Sequence, residues 1–153
     1  MTQGNRGFIG QLNPATGQWE WAARADGIAM DLAVDATGSS YVCGRFFDMA
    51  TFGSTTLTAP PNVQTGYLAR LSPTGQWRWA QAIAGTDDNQ LNSLVLAANG
   101  RGVYAGGAFK GTATVVGQPL TSAGDFDLLV LAVDSGGPVY HSARAGGPGS
   151  EIV

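Results

Sequence analysis

The residues of this chain that could do chemistry are few, and they do not gather into a set. His141 is the only histidine and Cys43 the only cysteine. One cysteine excludes an intrachain disulfide and a cysteine-based zinc cluster, and a lone histidine cannot build a zinc site. No serine stands in a nucleophile-elbow pattern, so a hydrolase triad has no support. Gly106-Gly107 is not followed by Gly-Lys-Ser or Gly-Lys-Thr, which removes a phosphate loop. The densest group of hard oxygen ligands is Asp87-Asp88-Asn89. Calcium takes about six to eight oxygens, and the spacing fits no complete calcium loop, so a solvated turn is expected there. Trp19 with Trp21, and Trp77 with Trp79, could stack on sugar rings or bases. Their repetition favours packing between units instead. No cofactor, no metal and no enzymatic activity are expected.

These side chains must be carried by short strands. Only 12% of the 153 residues are charged, 23 are glycine, and no helical periodicity is sustained. A single domain of this length can bury a core. Strands are predicted over 8–12 and 18–25, joined by a Pro- and Gly-containing turn, with Trp19, Trp21, Ala23 and Ala25 on one face at period two. Further strands are predicted over 30–34, 40–46, 67–71, 77–84, 94–97 and 103–109. Cys43 is expected inside one of them as a small apolar residue. The connection over 48–64 carries Pro60-Pro61, which cannot continue a central strand, and room for an accessory hairpin.

The order then repeats. Leu71-Ser72-Pro73-Thr74-Gly75-Gln76-Trp77-Arg78-Trp79-Ala80 follows the near-identical Leu12-Asn13-Pro14-Ala15-Thr16-Gly17-Gln18-Trp19-Glu20-Trp21-Ala22. A third copy, from Val133 to Ser142, keeps the turn and the strand but has Val139 and His141 for the tryptophans. Equivalent residues lie 58 apart at Trp21 and Trp79, and 63 apart at Phe46 and Phe109. One unit is therefore four antiparallel strands, longer than a propeller blade of about 40 to 50 residues, with the excess in 48–64 and its counterpart loop 111–125. The predicted fold is all-β, a β-propeller segment of about two and a half blades. The segment fills 1–153, with an outer half-blade at 7–27, blades at 28–85 and 86–147, and the start of a further inner strand at 148–153. Propellers need at least about four blades to close. The chain is thus expected to be a piece of a longer propeller, or to form a homo-oligomer by pairing incomplete blades edge to edge.

Val103-Tyr104, Gly107, Phe109, Gly111-Thr112-Ala113-Thr114 and Leu120-Thr121-Ser122-Ala123-Gly124-Asp125, followed by an apolar strand, a turn and Trp-x-Trp-Ala, resemble the bacterial β-propeller repeat known as the SBBP repeat. The resemblance runs from Phe8 to Gly147, with departures at Val115-Val116, Val139 and His141. It implies a part of a secreted or cell-surface bacterial protein, extracellular in location, whose repeat carries no catalytic motif.

Met1-Thr2-Gln3-Gly4-Asn5-Arg6 lacks the apolar stretch of a secretory leader, and no segment is long enough to span a bilayer. The net charge of −3 and the scattered Lys and Arg residues exclude a basic face for nucleic acid. The turns at 13–17, 35–38, 73–75, 99–102 and 134–137 fall on one rim of the blades. The linkers near Asp26, Asp87 and Pro148 fall on the other with the longer loops, where recognition usually resides. Ligand contacts are accordingly expected at Arg45, Asp87, Asp88, Asn89 and Asp125. The leading expectation is a non-catalytic structural or interaction module binding protein or its own copies. The alternative is a carbohydrate-binding, lectin-like propeller that takes a glycan on the long-loop rim.

Overall fold

The computed structural model describes residues 6–115 and 117–151. Val116 and the last two residues of the segment 148–153 lie outside the described residues, as do residues 1–5, where the sequence lacks the apolar stretch of a leader. Among the described residues every regular element is a strand, and all pairings are antiparallel. No helix of the described residues is long and apolar enough to cross a membrane.

Strands β1 (Arg6–Leu12) and β2 (Trp19–Asp26) form a two-stranded sheet. The second sheet is the meander β3 (Ile28–Val34), β4 (Ser40–Phe46), β7 (Thr65–Leu71) and β8 (Trp77–Ala82). Between β4 and β7 the chain makes the expected accessory hairpin, β5 (Met49–Phe52) with β6 (Thr55–Thr58). The third sheet is β10 (Asn89–Leu96), β11 (Gly102–Val115), β12 (Gln118–Asp134) and β13 (Val139–Ala145), with the short β9 (Ala84–Gly85) added along β11.

The predicted loop 111–125 is a correction. Its residues 111–115 and 118–125 are strand, because β11 and β12 run on past Lys110 as one long hairpin with an irregularity of pairing at Gly111. Thr112, Thr114 and Val115 favour extended backbone, and Gly111, at φ +68, absorbs the irregularity between Lys110 and Thr112. In the second sheet Asp48 takes the same left-handed turn at φ 57, and the hairpin beyond it separates from β4 and β7.

A second correction concerns the tryptophans. Gln11 faces Trp21 while Leu12 faces Trp19, so Glu20 is an extra residue in the ladder. Arg78 is extra in the same way between Trp77 and Trp79, and Tyr140 between Val139 and His141. A bulge of one residue resets the alternation. The two indoles of each pair therefore point to opposite faces, not to one. The β3–β4 and β10–β11 hairpins share a bulge as well, at Met30 and at Asn92. Each lies opposite a glycine, Gly44 or Gly107, where a side chain would run into the carbonyl of Ile28 or Gln90.

Two cores result. Ile9, Ala25, Val42, Phe46, Tyr67, Ala69 and Leu71 join the first sheet to the second, with Ala50 and Phe52 of the hairpin wedged between them. Tyr41, Cys43 and Leu68 meet Val103, Ala105, Leu129, Leu131 and Val133 between the second and third. Strand β4 thus sends Tyr41 and Cys43 one way and Val42 and Phe46 the other, which is why its sequence is apolar on both phases. Strands β3 and β10 are tied across sheets where Leu94 N–H donates to the Asp31 carboxylate at 2.7 Å.

Candidate functional site

The hairpin turns β1–β2, β3–β4, β7–β8, β10–β11 and β12–β13 fall at one end of the sheets, and the linkers between sheets fall at the other, together with the far end of the β11–β12 hairpin. The linker end holds the five expected ligand contacts, and the structure gives most of them internal work. Asp88 Oδ1 accepts the Gln64 N–H at 2.7 Å, and the Asp88 carbonyl accepts the Lys110 N–H at 2.9 Å. Asn89 is buried; its Oδ1 accepts the Gly66 N–H at 2.8 Å and its Nδ2 donates to the Asp87 carbonyl at 3.2 Å. Asp87 accepts the N–H of Asp88 at 2.8 Å. This linker is a staple from the end of one sheet to the start of β7 in another. The acidic-amide cluster reads in the sequence as a ligand set because the same oxygens that bind calcium also satisfy backbone N–H groups.

Arg45 is half-buried and donates to Gln90 Oε1 at 2.5 Å, which also accepts from Gln64 Nε2 at 3.1 Å. Asp125 is exposed and pairs with Lys110 at 2.8 Å. The hydrogen bond and charge of Asp125, with smaller help from Asp87 and Asp88, raise the Lys110 pKa. Asp87, Asp88 and Asp125 are therefore brought near one lysine, while Arg45 belongs to a separate amide cluster. Among the described residues no three His, Cys, Asp or Glu side chains come together in a way that could hold a metal ion.

Asp127 was not singled out by the sequence reading, although a carboxylate inside Phe126-Asp127-Leu128-Leu129-Val130 is a signal. It is fully buried, and Oδ2 accepts from Arg144 Nη1 at 2.6 Å and from the Ala123 N–H at 3.0 Å. Gly146 lies directly against this carboxylate. The group pins the end of β13 to the start of the apolar part of β12.

On the turn rim, Asp35 works as its position before a Gly-containing turn predicts. It accepts the N–H groups of Thr37 at 2.9 Å and Ser39 at 3.0 Å. Arg70 bridges Asp35, Ser39 Oγ and the Ser135 carbonyl, with its guanidinium 5.2 Å from the centre of the Tyr41 ring. Burial pushes the Asp35 carboxyl up, but the hydrogen bonds from Thr37 and Ser39 and the Arg70 charge outweigh it and leave the pKa lowered.

The tryptophans make the most regular contacts. Trp21 Nε1 donates to the Pro73 carbonyl at 2.9 Å, and Trp79 Nε1 to the Ser135 carbonyl at 3.0 Å. Each indole also covers the glycine two residues further along that turn, Gly75 or Gly137. Trp77 points back instead, donating to the Arg24 carbonyl at 3.0 Å and meeting Phe52 edge-on at 5.0 Å. Beside it runs a groove of about 440 Å³ lined by Ala22, Ala23, Arg24, Thr51, Gly53, Gly75 and Trp77. His141, in register with Trp21 and Trp79, is exposed. Compared with models of known protein families the chain matches none, and no curated protein matches it.

Proposed function

We propose that this chain is a non-catalytic structural and interaction module, a β-propeller segment in which the three sheets are successive blades. The observation that carries this reading is the contact between sheets. In two junctions the second tryptophan of one outer hairpin reaches the same carbonyl and the same glycine of the following turn. The linkers support it too: Asn89 N–H donates to the Gln64 carbonyl on the way into the third sheet, and Glu151 N–H donates to the Phe126 carbonyl in the corresponding place. The assignment of 7–27 to an outer half-blade, 28–85 and 86–147 to blades and 148–153 to the next inner strand follows. Trp21, Trp77 and Trp79 of the repeated segments are engaged in joining sheets, which supports a scaffold role. The resemblance to the SBBP repeat extends the proposal to a secreted or cell-surface bacterial protein, with further blades or further copies as partners.

A second reading, a carbohydrate-binding propeller, is favoured by the groove beside Trp77, where Trp77, Arg24 and Thr51 line one cleft. A glycan array together with a panel of glycoside, ester and peptide substrates tests both. The scaffold reading expects no saturable glycan binding and no turnover. Binding lost in Arg24→Ala establishes the lectin in its place, and turnover abolished by one substitution overturns the non-catalytic assignment.

A further inference from the structure

The stack leaves two faces uncovered, and each has a covered equivalent inside the chain. On the first sheet Phe8, Leu12 and Trp19 are 66%, 48% and 57% exposed. Their register equivalents on the second sheet are Tyr67, Leu71 and Trp77, of which Tyr67 and Leu71 are wholly buried under the sheet before them. At the other end, Tyr104 and Val130 of the third sheet are 42% and 46% exposed. Their equivalents, Tyr41 and Leu68, are wholly buried under the sheet that follows. The two free faces are thus the two halves of a junction the chain already makes twice.

The details at the free faces also match each other. Gly17 occupies the place of Gly75 and Gly137, yet among the described residues nothing lies within 4 Å of where its Cβ would be. The turn holding it, 13–18, is one residue longer than those at 72–76 and 134–138. The residue that would cover such a turn from a third sheet is His141, whose imidazole is smaller than the indole it replaces. A longer turn facing a smaller ring preserves the fit.

We infer that the face of Tyr104, Val130 and His141 docks on the face of Phe8, Leu12 and Trp19 of a second copy of this chain, head to tail, continuing the series of sheet junctions. The inference rests on the blade reading above. It differs from strand-edge pairing, because the contact is face to face. Such a junction is heterologous, so it propagates until a ring closes or a filament grows.

Light scattering of the full chain with Trp19→Arg and Val130→Arg tests it. The native chain is expected to gain mass with concentration. Each variant alone is expected to remain monomeric, since one face of every junction is lost. Mixed in equal amounts, the two should give a species of twice the monomer mass and nothing larger, because the intact face of each finds the intact face of the other and both outer faces are blocked. A folded native chain that stays monomeric, a single variant that keeps the native mass, or a mixture that does not recombine each overturns the inference. If either variant loses its near-ultraviolet circular dichroism, Phe8→Glu and Tyr104→Glu replace the pair at the same exposed faces. None of these outcomes bears on the choice between scaffold, lectin and enzyme, which is decided by glycan binding and turnover.

Discussion

Replacing Trp79 with alanine separates a joining role for the paired tryptophans from a ligand-stacking one. Truncating a fully buried aromatic costs about 3 to 5 kcal/mol. Trp79 is half-buried against Tyr41, at 6.3 Å between ring centres, so the packing loss is about 2 kcal/mol. The bond from its Nε1 to the Ser135 carbonyl at 3.0 Å adds about 1 kcal/mol. Trp19→Ala removes the same side chain from an exposed position and should cost about 0.5 kcal/mol. The assay is urea unfolding followed by far-ultraviolet circular dichroism, at a concentration where the chain is monomeric. With a slope of about 2 kcal/mol per molar, the midpoint should fall by about 1.5 M for Trp79→Ala and by a few tenths for Trp19→Ala. Equal shifts for the two variants would refute the argument, since the opposed faces created by the bulge would then have no energetic consequence.

Other consequences are independent of that one. Gly17→Ala should cost about 1 kcal/mol, from left-handed backbone at φ +69 alone, whereas Gly75→Ala should cost clearly more in the same assay, because its Cβ would stand 2.5 Å from Trp21 Cε3. The Asp35 carboxyl has a lowered pKa in the fold, so its contribution is present above the ordinary carboxylate range and is lost as pH falls through the folded value. Unfolding midpoints measured from pH 6 downward should therefore fall less steeply for Asp35→Asn than for the native chain, and parallel curves would count against this. Burial, with a smaller push from Asp31, raises the Cys43 thiol to about 12. Ellman's reagent at pH 8 should label it only after unfolding; rapid labelling of the native chain would show that the second junction opens.

The strand order and the turns were legible because proline, glycine and the repeated Trp-x-Trp segment fix them locally. Ser40 to Phe46 was read to the residue, since both phases of that strand are apolar and turn residues bound it. Strand β10 was read short, beginning at Leu94, because Asn89, Gln90 and Asn92 look like turn residues; the backbone they extend is held by bonds to Gln64, Gly66 and Arg45, which lie far away in sequence. The faces of the tryptophans were not legible at all, because alternation counts residues and a bulge consumes one without a local mark. The rim was found from loop placement, but which of its polar groups are spent on backbone depends on cross-sheet partners. Asp127 was visible in the sequence; its partner Arg144, on the next strand, was not.

The bulged residue Arg78 inside the Trp77–Trp79 pair makes the β7–β8 hairpin two-sided, with one ring turned to the sheet behind and one toward the sheet ahead. A unit of this kind carries a plug and a socket at once, so the array has a direction. On the blade reading proposed above, deleting the second unit would bring Trp21 against the turn at 134–138, the turn that Trp79 now covers. Losing the single residue Arg78 would turn one ring to the wrong side and break a junction on that side.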